Sequence, residues 1–259
     1  SAIVMAQMIG AGINQGIAIV VALLIGAAIG VLNGLIVQTG LNALAVTIGT
    51  LSITSGLAAI VTDGLPLFEK MDQLAWLGTS IYFGIPSTFY VVAIIFVFGT
   101  IFLTKTRGGI RFMAAGGNPE ALRRAGVNSN VYRLLGFTLS GLLAAVGGVV
   151  TSAYTSQSTP AAPTSVLFDG LTAVALSGLA LSGGRGSFPK VWIGSMVIAA
   201  IGSGLLIKGI QSFWTTSITG ALLIGALALE HAIGKAVAKQ AVSRSNVSAH
   251  KEVKKAEAK

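Results

Sequence analysis

Charged side chains are scarce in this sequence. Asp, Glu, Lys and Arg make up 10% of the 259 residues, and the first ionisable side chain is that of Asp63. Further stretches without charge run over residues 73–104, 134–168, 191–207 and 209–229. A soluble domain needs a charged outer face, which these stretches cannot supply. A bilayer core requires about 20 apolar residues for each helical span, and several stretches reach that length. The sequence therefore excludes a soluble protein and predicts several membrane spans.

Catalytic and metal-binding motifs are also missing. There is no cysteine, which excludes disulfides, thiolate metal sites and a catalytic thiol. The one Gly-Lys pair, Gly234-Lys235, lacks the preceding glycine of a phosphate-binding loop. His231 follows Glu230 at the end of the last apolar stretch, without the spaced partners of a metal site. We expect a chain that is not an enzyme and holds no cofactor or metal, so any ATP hydrolysis belongs to another chain.

The basic residues are concentrated in two places. The net charge of +9 comes mainly from the segment 105–133 and from the tail 235–259. Basic residues beside membrane spans favour the cytoplasmic side, so this clustering indicates orientation in a bilayer and argues against a nucleic-acid partner. We predict a membrane domain over residues 1–234 with a cytoplasmic loop at 105–133, followed by a basic cytoplasmic tail at 235–259. The loop at 63–87 then faces outward.

The remainder of the chain consists of apolar segments, which are separated by Gly, Pro, Asn and clusters of polar residues. These lie at residues 2–11, 16–38, 43–62, 88–103, 134–153, 168–181, 191–207 and 213–231. Backbone polar groups in hydrocarbon must be paired internally, and the segments lack the alternation of barrel strands, so helices are favoured. We predict an all-α, polytopic transmembrane helical bundle with about seven to eight spans. The segment 168–181 is short and predicts a tilted, broken or re-entrant helix.

Small residues recur at a spacing of four residues, or in one case three, within these segments. Such spacing lets two helix backbones approach closely in a membrane, so it predicts tight helix packing rather than a gating role. The positions are Gly26, Gly30 and Gly34, then Gly141, Ala145 and Gly148, then Ala221 and Gly225.

The basic loop contains signals for a short helix. Asn118 suits the N-cap, Pro119 the first helical position, Glu120 the positive helix end and Gly126 the terminus. A short amphipathic helix at the cytoplasmic surface can dock into a groove of a soluble partner. The alternative is a solvated basic loop that only orients the protein.

A few polar residues lie inside the apolar segments. Hydroxyls at these positions predict either a path for a hydroxylated solute or internal bonds to helix carbonyls. They belong to Thr47, Thr50, Ser52, Thr54 and Ser55. Asp169 predicts a helix cap, or else a contact with solute or with a gate. The run Ser-Gly-Gly-Arg-Gly-Ser at 182–187 predicts a turn between two spans or an anion-binding nest.

The loop resembles the coupling segment of a known family, the ribose-type permeases of bacterial ABC sugar importers, whose superfamily includes branched-chain amino-acid permeases. In that family a cytoplasmic Gly-Gly-Asn-x-x-Ala-Ala-Arg-x-x-Gly-Ile segment contacts the ATPase. Leu122 replaces the second alanine and Val127 the isoleucine. The matching positions are Gly116, Gly117, Asn118, Ala121, Arg123 and Gly126. The similarity extends to residues 32–35, 47–57, 135–148, 176–187 and 212–214.

The resemblance implies a mechanism shared by several chains. Cytoplasmic ATP-binding subunits, which bind ATP and Mg, would contact Gly116, Gly117, Asn118, Pro119, Glu120, Ala121, Arg123, Arg124 and Gly126. A second permease subunit, identical or related, would enclose the path, and a periplasmic or lipid-anchored sugar-binding protein would deliver the sugar. The location would be the bacterial inner membrane. The family's usual ten spans and its Asp-Leu-Ser-Val-Gly stretch lead us to expect that N-terminal helices are missing here.

Three alternatives stay open at this point. The same scaffold could carry a branched-chain amino acid or a nucleoside, and the residues do not name the solute. A passive channel or facilitator would have no use for a segment that contacts an ATPase. A membrane-embedded enzyme would need an acid, base, nucleophile or metal set that the sequence lacks.

Overall fold

The computed structural model describes residues 1–68, 77–78, 80–160, 164–179, 184, 186–210 and 214–228. The chain divides into two compact units. The first comprises Ser1–Pro163 together with Ser182–Phe188, and the second comprises Thr164–Leu181 together with Pro189–Lys259.

Helices account for nearly all regular structure of the first unit. They are α1 (Ala2–Gly10), α2 (Gln15–Gln38), α3 (Ala43–Thr62), α4 (Ser87–Lys105), α5 (Arg107–Gly117), α6 (Pro119–Arg124) and α7 (Ser129–Thr155). Two short strands, β1 (Ile81–Tyr82) and β2 (Ile85–Pro86), pair antiparallel before α4.

Asparagine side chains cap the starts of three of the long helices. The Oδ1 atoms of Asn14, Asn42 and Asn128 accept hydrogen bonds from backbone N–H groups in the first turns of α2, α3 and α7. Such caps satisfy donors that a helix leaves unpaired. The chain leaves α3 at Asp63, whose φ of 50° lies in the left-handed region. The bounds predicted from the apolar segments agree with those of α2 and α3 to within one residue.

The most extensive helix contact in the described residues joins α2 and α7. A Cβ placed on Gly26 would lie 2.5 Å from the Cβ of Ala145 and 2.6 Å from the Gly141 carbonyl oxygen. A Cβ on Gly30 would overlap the carbonyl oxygen of Phe137. Only glycine permits backbones this close. Pairs of membrane helices commonly have glycine at their interface for this reason. The predicted packing role of the first two sets of small residues is confirmed.

The predicted outer loop carries some structure that the sequence did not indicate. Besides the β1–β2 hairpin, Leu67 and Ser158 exchange backbone hydrogen bonds of 2.9 Å in both directions. The buried Ser158 hydroxyl also donates to that of Ser152 at 2.9 Å. These bonds fasten the segment after α3 to the segment after α7. Isolated pairings this short have no hydrophobic periodicity, so the sequence could not reveal them.

The second unit contains α8 (Thr164–Leu176), α9 (Phe188–Ile207, whose first residue belongs to the first unit) and α10 (Trp214–Ala228). A Cβ on Gly194 of α9 would overlap the Ala173 carbonyl oxygen of α8. The small residues of α10 differ. A Cβ on Gly225 would have no described atom within 4 Å, and Ala221 is exposed. The described residues therefore show no close neighbour at these two positions, and the packing role predicted for them stays a prediction, because four-residue spacing does not tell which helix face meets a neighbour.

Among the described residues, five helices are long and apolar enough to cross a bilayer: α2, α3, α4, α7 and α9. The 13 residues of α8 rise only about 20 Å, which is short of the hydrocarbon thickness. The all-α bundle is therefore confirmed, with fewer full-length spans than the seven to eight predicted. The shorter apolar helices α1, α8 and α10 account for the difference.

Candidate coupling segment and translocation path

The candidate coupling segment, residues 116–126 and called the coupling segment below, is built around α6. Asn118 Oδ1 accepts a hydrogen bond from the Ala121 N–H at 2.9 Å, and Pro119 occupies the first turn. Glu120 lies in the same turn, near the positive end of the helix. Gly126, with φ of 76°, ends the helix and donates its N–H to the Arg123 carbonyl at 3.0 Å. The short helix and its caps are confirmed.

The outer face of α6 carries charge but little fixed structure. Arg123 Nε and Arg124 Nε lie 3.7 Å and 3.6 Å from the Glu120 carboxylate. The two arginine side chains are 76% and 81% exposed. Ion pairs this exposed contribute about 0–1 kcal/mol, so they barely constrain the side chains. The three groups are thus available to a partner.

Leu122 fixes α6 to the rest of the unit. It is 8% exposed, the lowest value on a helix whose other side chains lie mostly in solvent. The helix contacts α5 on one side and α7 on the other. In the sequence, Leu122 stood out only as a replacement for a small residue. A single large apolar residue between Glu120 and the arginine pair was the signal that could have revealed this anchor.

The helix α5 was also missed. Thr106 caps it by accepting from the Gly109 N–H at 3.0 Å, and a Cβ on Gly109 would overlap the Phe102 carbonyl oxygen of α4. The glycine therefore lets α5 fold closely against the end of α4. Residues 107–111 carry two arginines and two glycines, which in the sequence predicted an irregular basic loop.

A cavity of about 440 Å³ opens beside the coupling segment. Its walls come from α5, the start of α6 and the first half of α7, and Arg133 supplies the one charged side chain. The lining residues are Phe112, Ala115, Gly116, Pro119, Tyr132, Arg133, Gly136, Phe137 and Ser140. The cavity leaves room for the segment to shift against α7.

The structure brings the coupling segment together with the glycine-rich turn at 182–187. A Cβ on Gly184 would overlap the Cα and N atoms of Gly117 and lie 3.1 Å from the Gly116 carbonyl carbon. Of the other residues in the turn, Gly186 and Ser187 are described, whereas Ser182, Gly183 and Arg185 lie outside the described residues. The predicted anion nest falls largely on those three.

The hydroxyls of the candidate path mostly bond within their own helix. Thr47 and Thr54 donate to carbonyls three and four residues earlier, and Ser52 donates to the Ile48 carbonyl at 3.2 Å. Thr50 differs, because its hydroxyl lies 2.6 Å from Asn33 Oδ1 on α2 as well as 3.0 Å from the Val46 carbonyl oxygen. Ser55 is half-buried. The internal bonding that the sequence offered as an alternative is present, and the path role stays a prediction.

This sequence is similar to those of known proteins. A family model described as "Branched-chain amino acid transport system / permease component" matches residues 1–227. This chain belongs to that family.

Three curated relatives illustrate the similarity of this permease to other members. The probable ABC transporter permease protein YphD of Escherichia coli K12 is 35% identical over 186 residues, 71% of this chain and 56% of the relative. The ribose import permease protein RbsC of Bacillus subtilis 168 is 32% identical over 233 residues, 89% of this chain and 72% of the relative. The L-arabinose transport system permease protein AraH of E. coli K12 is 30% identical over 193 residues, 74% of this chain and 58% of the relative.

The permease thus spans between about half and three quarters of the length of these relatives. No solved structure matches it. Family membership and five apolar helices of spanning length agree that it is a multi-pass protein of the bacterial cell membrane.

Asp169 of the permease does not cap a helix. It is the sixth residue of α8, half-buried in the helix interior, where the first-turn N–H groups are out of reach. That part of the prediction is wrong because α8 begins at Thr164, four residues before the apolar segment that marked its expected start. The alternative, contact with solute or with a gate, stays a prediction. Glu230, His231 and the basic tail lie outside the described residues.

Proposed function

We propose that this permease is the membrane subunit of an ATP-driven importer that moves a ribose-like monosaccharide across the bacterial inner membrane. The observation that carries the proposal is the coupling segment: a helix capped at both ends, anchored by Leu122, with its charged face free. The names of relatives that import ribose and L-arabinose favour a sugar over an amino acid or nucleoside.

The chemistry of ATP hydrolysis would lie in separate cytoplasmic subunits, which bind ATP and Mg. A groove on these subunits would receive α6. Glu120, Arg123 and Arg124 would form charged contacts at the rim of the groove. Asn118 and Gly126 would fix the two ends of the helix. A helix laid into a groove of a soluble partner is a recurring recognition mode. A second permease subunit, identical or related, would complete the path, and a periplasmic or lipid-anchored binding protein would supply the sugar.

Coupling requires that ATP and sugar favour different states of the permease, because a ligand with equal affinity for both states shifts nothing. The rigid part of this cycle is the glycine-packed α2–α7 pair. The movable part is the helix α6, which has one buried side chain, Leu122, and lies beside an open cavity. Closure of the ATPase subunits would displace α6 relative to α7.

The candidate path residues suit brief contacts with sugar hydroxyls. Thr47, Ser52 and Thr54 already donate their protons to backbone carbonyls, so they offer only acceptor lone pairs to a solute. Asp169 adds one carboxylate. Weak contacts of this kind would leave selectivity largely to the binding protein, and tight binding of sugar to the isolated permease would contradict this.

The test of substrate class is uptake into liposomes that contain the permease, its ATPase subunits and a sugar-loaded binding protein. We expect ATP-dependent accumulation of a labelled pentose such as ribose or arabinose, and none of leucine or a nucleoside. Accumulation of leucine would contradict a sugar substrate and support an amino-acid permease instead. Equilibration of solute without ATP would identify a passive facilitator and overturn the proposal.

The test of the coupling residues compares Glu120→Ala and Arg123→Ala with Arg107→Ala, an exposed arginine at the start of α5. We expect the first two variants to lose at least ten-fold in sugar moved per ATP while still inserting in the membrane. The Arg107 variant should stay within about two-fold of the unmodified protein. Normal uptake in both coupling variants would contradict the assignment of α6.

A further inference from the structure

The contact between Gly117 and Gly184 joins two segments that lie 67 positions apart in sequence. No side chain separates them: a Cβ on Gly184 would overlap the backbone of Gly117, and a Cβ on Gly117 would lie 3.3 Å from the Gly184 Cα. Contact of backbone on backbone leaves no flexible side chain to absorb a displacement. A shift of one segment therefore pushes directly on the other.

The position of Gly117 gives this contact its importance. Gly117 is the last residue of α5 and directly precedes Asn118, the residue that caps α6. The Asn118 N–H in turn donates to the Ala114 carbonyl at 2.9 Å. Gly184 thus rests on the hinge between α5 and the coupling helix, where any displacement of α6 must be accommodated by the backbone.

The far end of the same turn is also held by a glycine. Phe188, the first residue of α9, lies with its ring centroid 4.8 Å from that of Phe96 on α4. A Cβ on Gly99 would come within 2.5 Å of the Phe188 Cε1 atom. Of the described residues here, Gly184 therefore contacts the coupling hinge, and Phe188, four positions later, contacts α4 at the start of α9.

We infer that Gly117 and Gly184 are positioning residues for transport, forming a backbone contact through which displacement of the coupling segment reaches Phe188, the first residue of α9. The inference rests on the proposed function, since it needs a partner that moves α6. It assigns to the glycine-rich turn a mechanical role in coupling that does not require an anion. The contact demands glycine at Gly184, where an added Cβ would overlap Gly117 and where φ is +78°. At Gly117 an added Cβ would be crowded, 3.3 Å from the Gly184 Cα.

Gly178 provides a matched control for the backbone conformation. It has nearly the same φ, +67°, but a Cβ added to it would have no described atom within 4 Å. Gly178→Ala and Gly184→Ala therefore impose the same left-handed strain, and only the second adds the overlap with Gly117. Gly108→Ala serves in the same way for Gly117→Ala, because a Cβ on Gly108 meets nothing closer than 3.7 Å and both residues lie in α5.

The experiment reconstitutes the full complex in liposomes and measures sugar moved per ATP hydrolysed, with co-purification of the ATPase as the measure of assembly. We expect Gly184→Ala to assemble but to lose at least ten-fold in this ratio, and Gly117→Ala to lose about three-fold. Gly178→Ala and Gly108→Ala should stay within two-fold. Because both losses arise from one contact, the double variant Gly117→Ala/Gly184→Ala should lose clearly less than the product of the single losses.

Three results would overturn the inference. The first is an equal ratio of sugar moved per ATP in Gly184→Ala and Gly178→Ala. The second is a loss in the double variant that equals the product of the two single losses. The third is normal coupling in Gly117→Ala if Gly184→Ala fails to assemble. The unmodified permease separates this inference from the proposed function. If it shows no ATP-driven sugar uptake, the proposed function fails; if it transports normally while the glycine variants match their controls, only the glycine contact is wrong.

Discussion

The α2–α7 pair and the coupling helix α6 are stabilised in opposite ways. The pair is held by shape, since glycine notches at Gly26 and Gly30 admit the backbone of the neighbouring helix. The helix α6 is held by its own caps and by one buried leucine. The first arrangement tolerates no movement without losing contact along the whole interface, whereas the second can shift as a unit. This difference separates a rigid scaffold from a movable element that a partner can reach.

The largest effect is expected where the scaffold is tightest. Gly30→Leu places a side chain against the Phe137 carbonyl and should lower the free energy of unfolding by about 3 kcal/mol, because the helices must separate. Thermal unfolding in detergent measures the loss. Gly147→Leu on α7, where no described atom lies within 4 Å of the added Cβ, should change little. Equal losses in the two variants would break the comparison.

A smaller and local effect is expected from the cap of α6. Asn118→Ala removes the acceptor for the Ala121 N–H and should destabilise the short helix by about 1 kcal/mol. Amide hydrogen exchange within α6 should then accelerate about five-fold, while the α2–α7 interface stays protected. Asn128→Ala, which removes the cap of α7, should leave exchange in α6 unchanged. Faster exchange across α2 as well in the Asn118 variant would show that the two regions are not independent.

The bond between Asn33 and Thr50 should contribute less again. Interhelical hydrogen bonds in membranes contribute about 0.6 kcal/mol on average. We therefore expect a coupling energy of about that size between Thr50→Val and Asn33→Leu in a double-mutant cycle. Additive effects of the two changes would mean that the 2.6 Å contact does not stabilise the α2–α3 pair.

The smallest effect is expected at Ser52. Among the described residues, the Ser52 hydroxyl bonds to the Ile48 carbonyl alone, so Ser52→Ala should change the free energy of unfolding by less than about 0.5 kcal/mol. A clear loss of sugar uptake with unchanged stability would then be a direct sign that this hydroxyl contacts the solute. Unchanged uptake would remove Ser52 from the path.

The sequence predicted what depends on local signals. Apolar runs preceded by asparagine gave α2 and α3, and the order Asn118, Pro119, Glu120 and Gly126 gave α6 with its caps. The helix α5 was missed because glycine is a poor helix former and residues 108 and 109 are both glycine. In the structure, Gly109 allows the backbone of α5 to lie close to that of α4. The cap at Asp169 was wrong because polar Thr164 and Ser165 extend α8 beyond its apolar run.

Long-range contacts between small residues could not be predicted. The spacing of Gly26, Gly30 and Gly34 indicated a helix interface but not the partner α7, and at Gly225, with the same kind of spacing, an added Cβ would meet no described atom. The approach of Gly117 to Gly184 leaves no trace in residue type, because glycines also mark ordinary turns. Such pairings are determined by the tertiary arrangement rather than by local sequence.

The central claim is that this permease responds to sugar at one face and to an ATPase at the other. Its most direct test is ATP hydrolysis by the reconstituted complex, measured with the binding protein sugar-loaded, sugar-free or absent. We predict that the loaded binding protein stimulates hydrolysis several-fold and that Arg123→Ala abolishes this stimulation without releasing the ATPase. Hydrolysis that is indifferent to the loaded binding protein, or an ATPase that never associates with the chain, would contradict the claim.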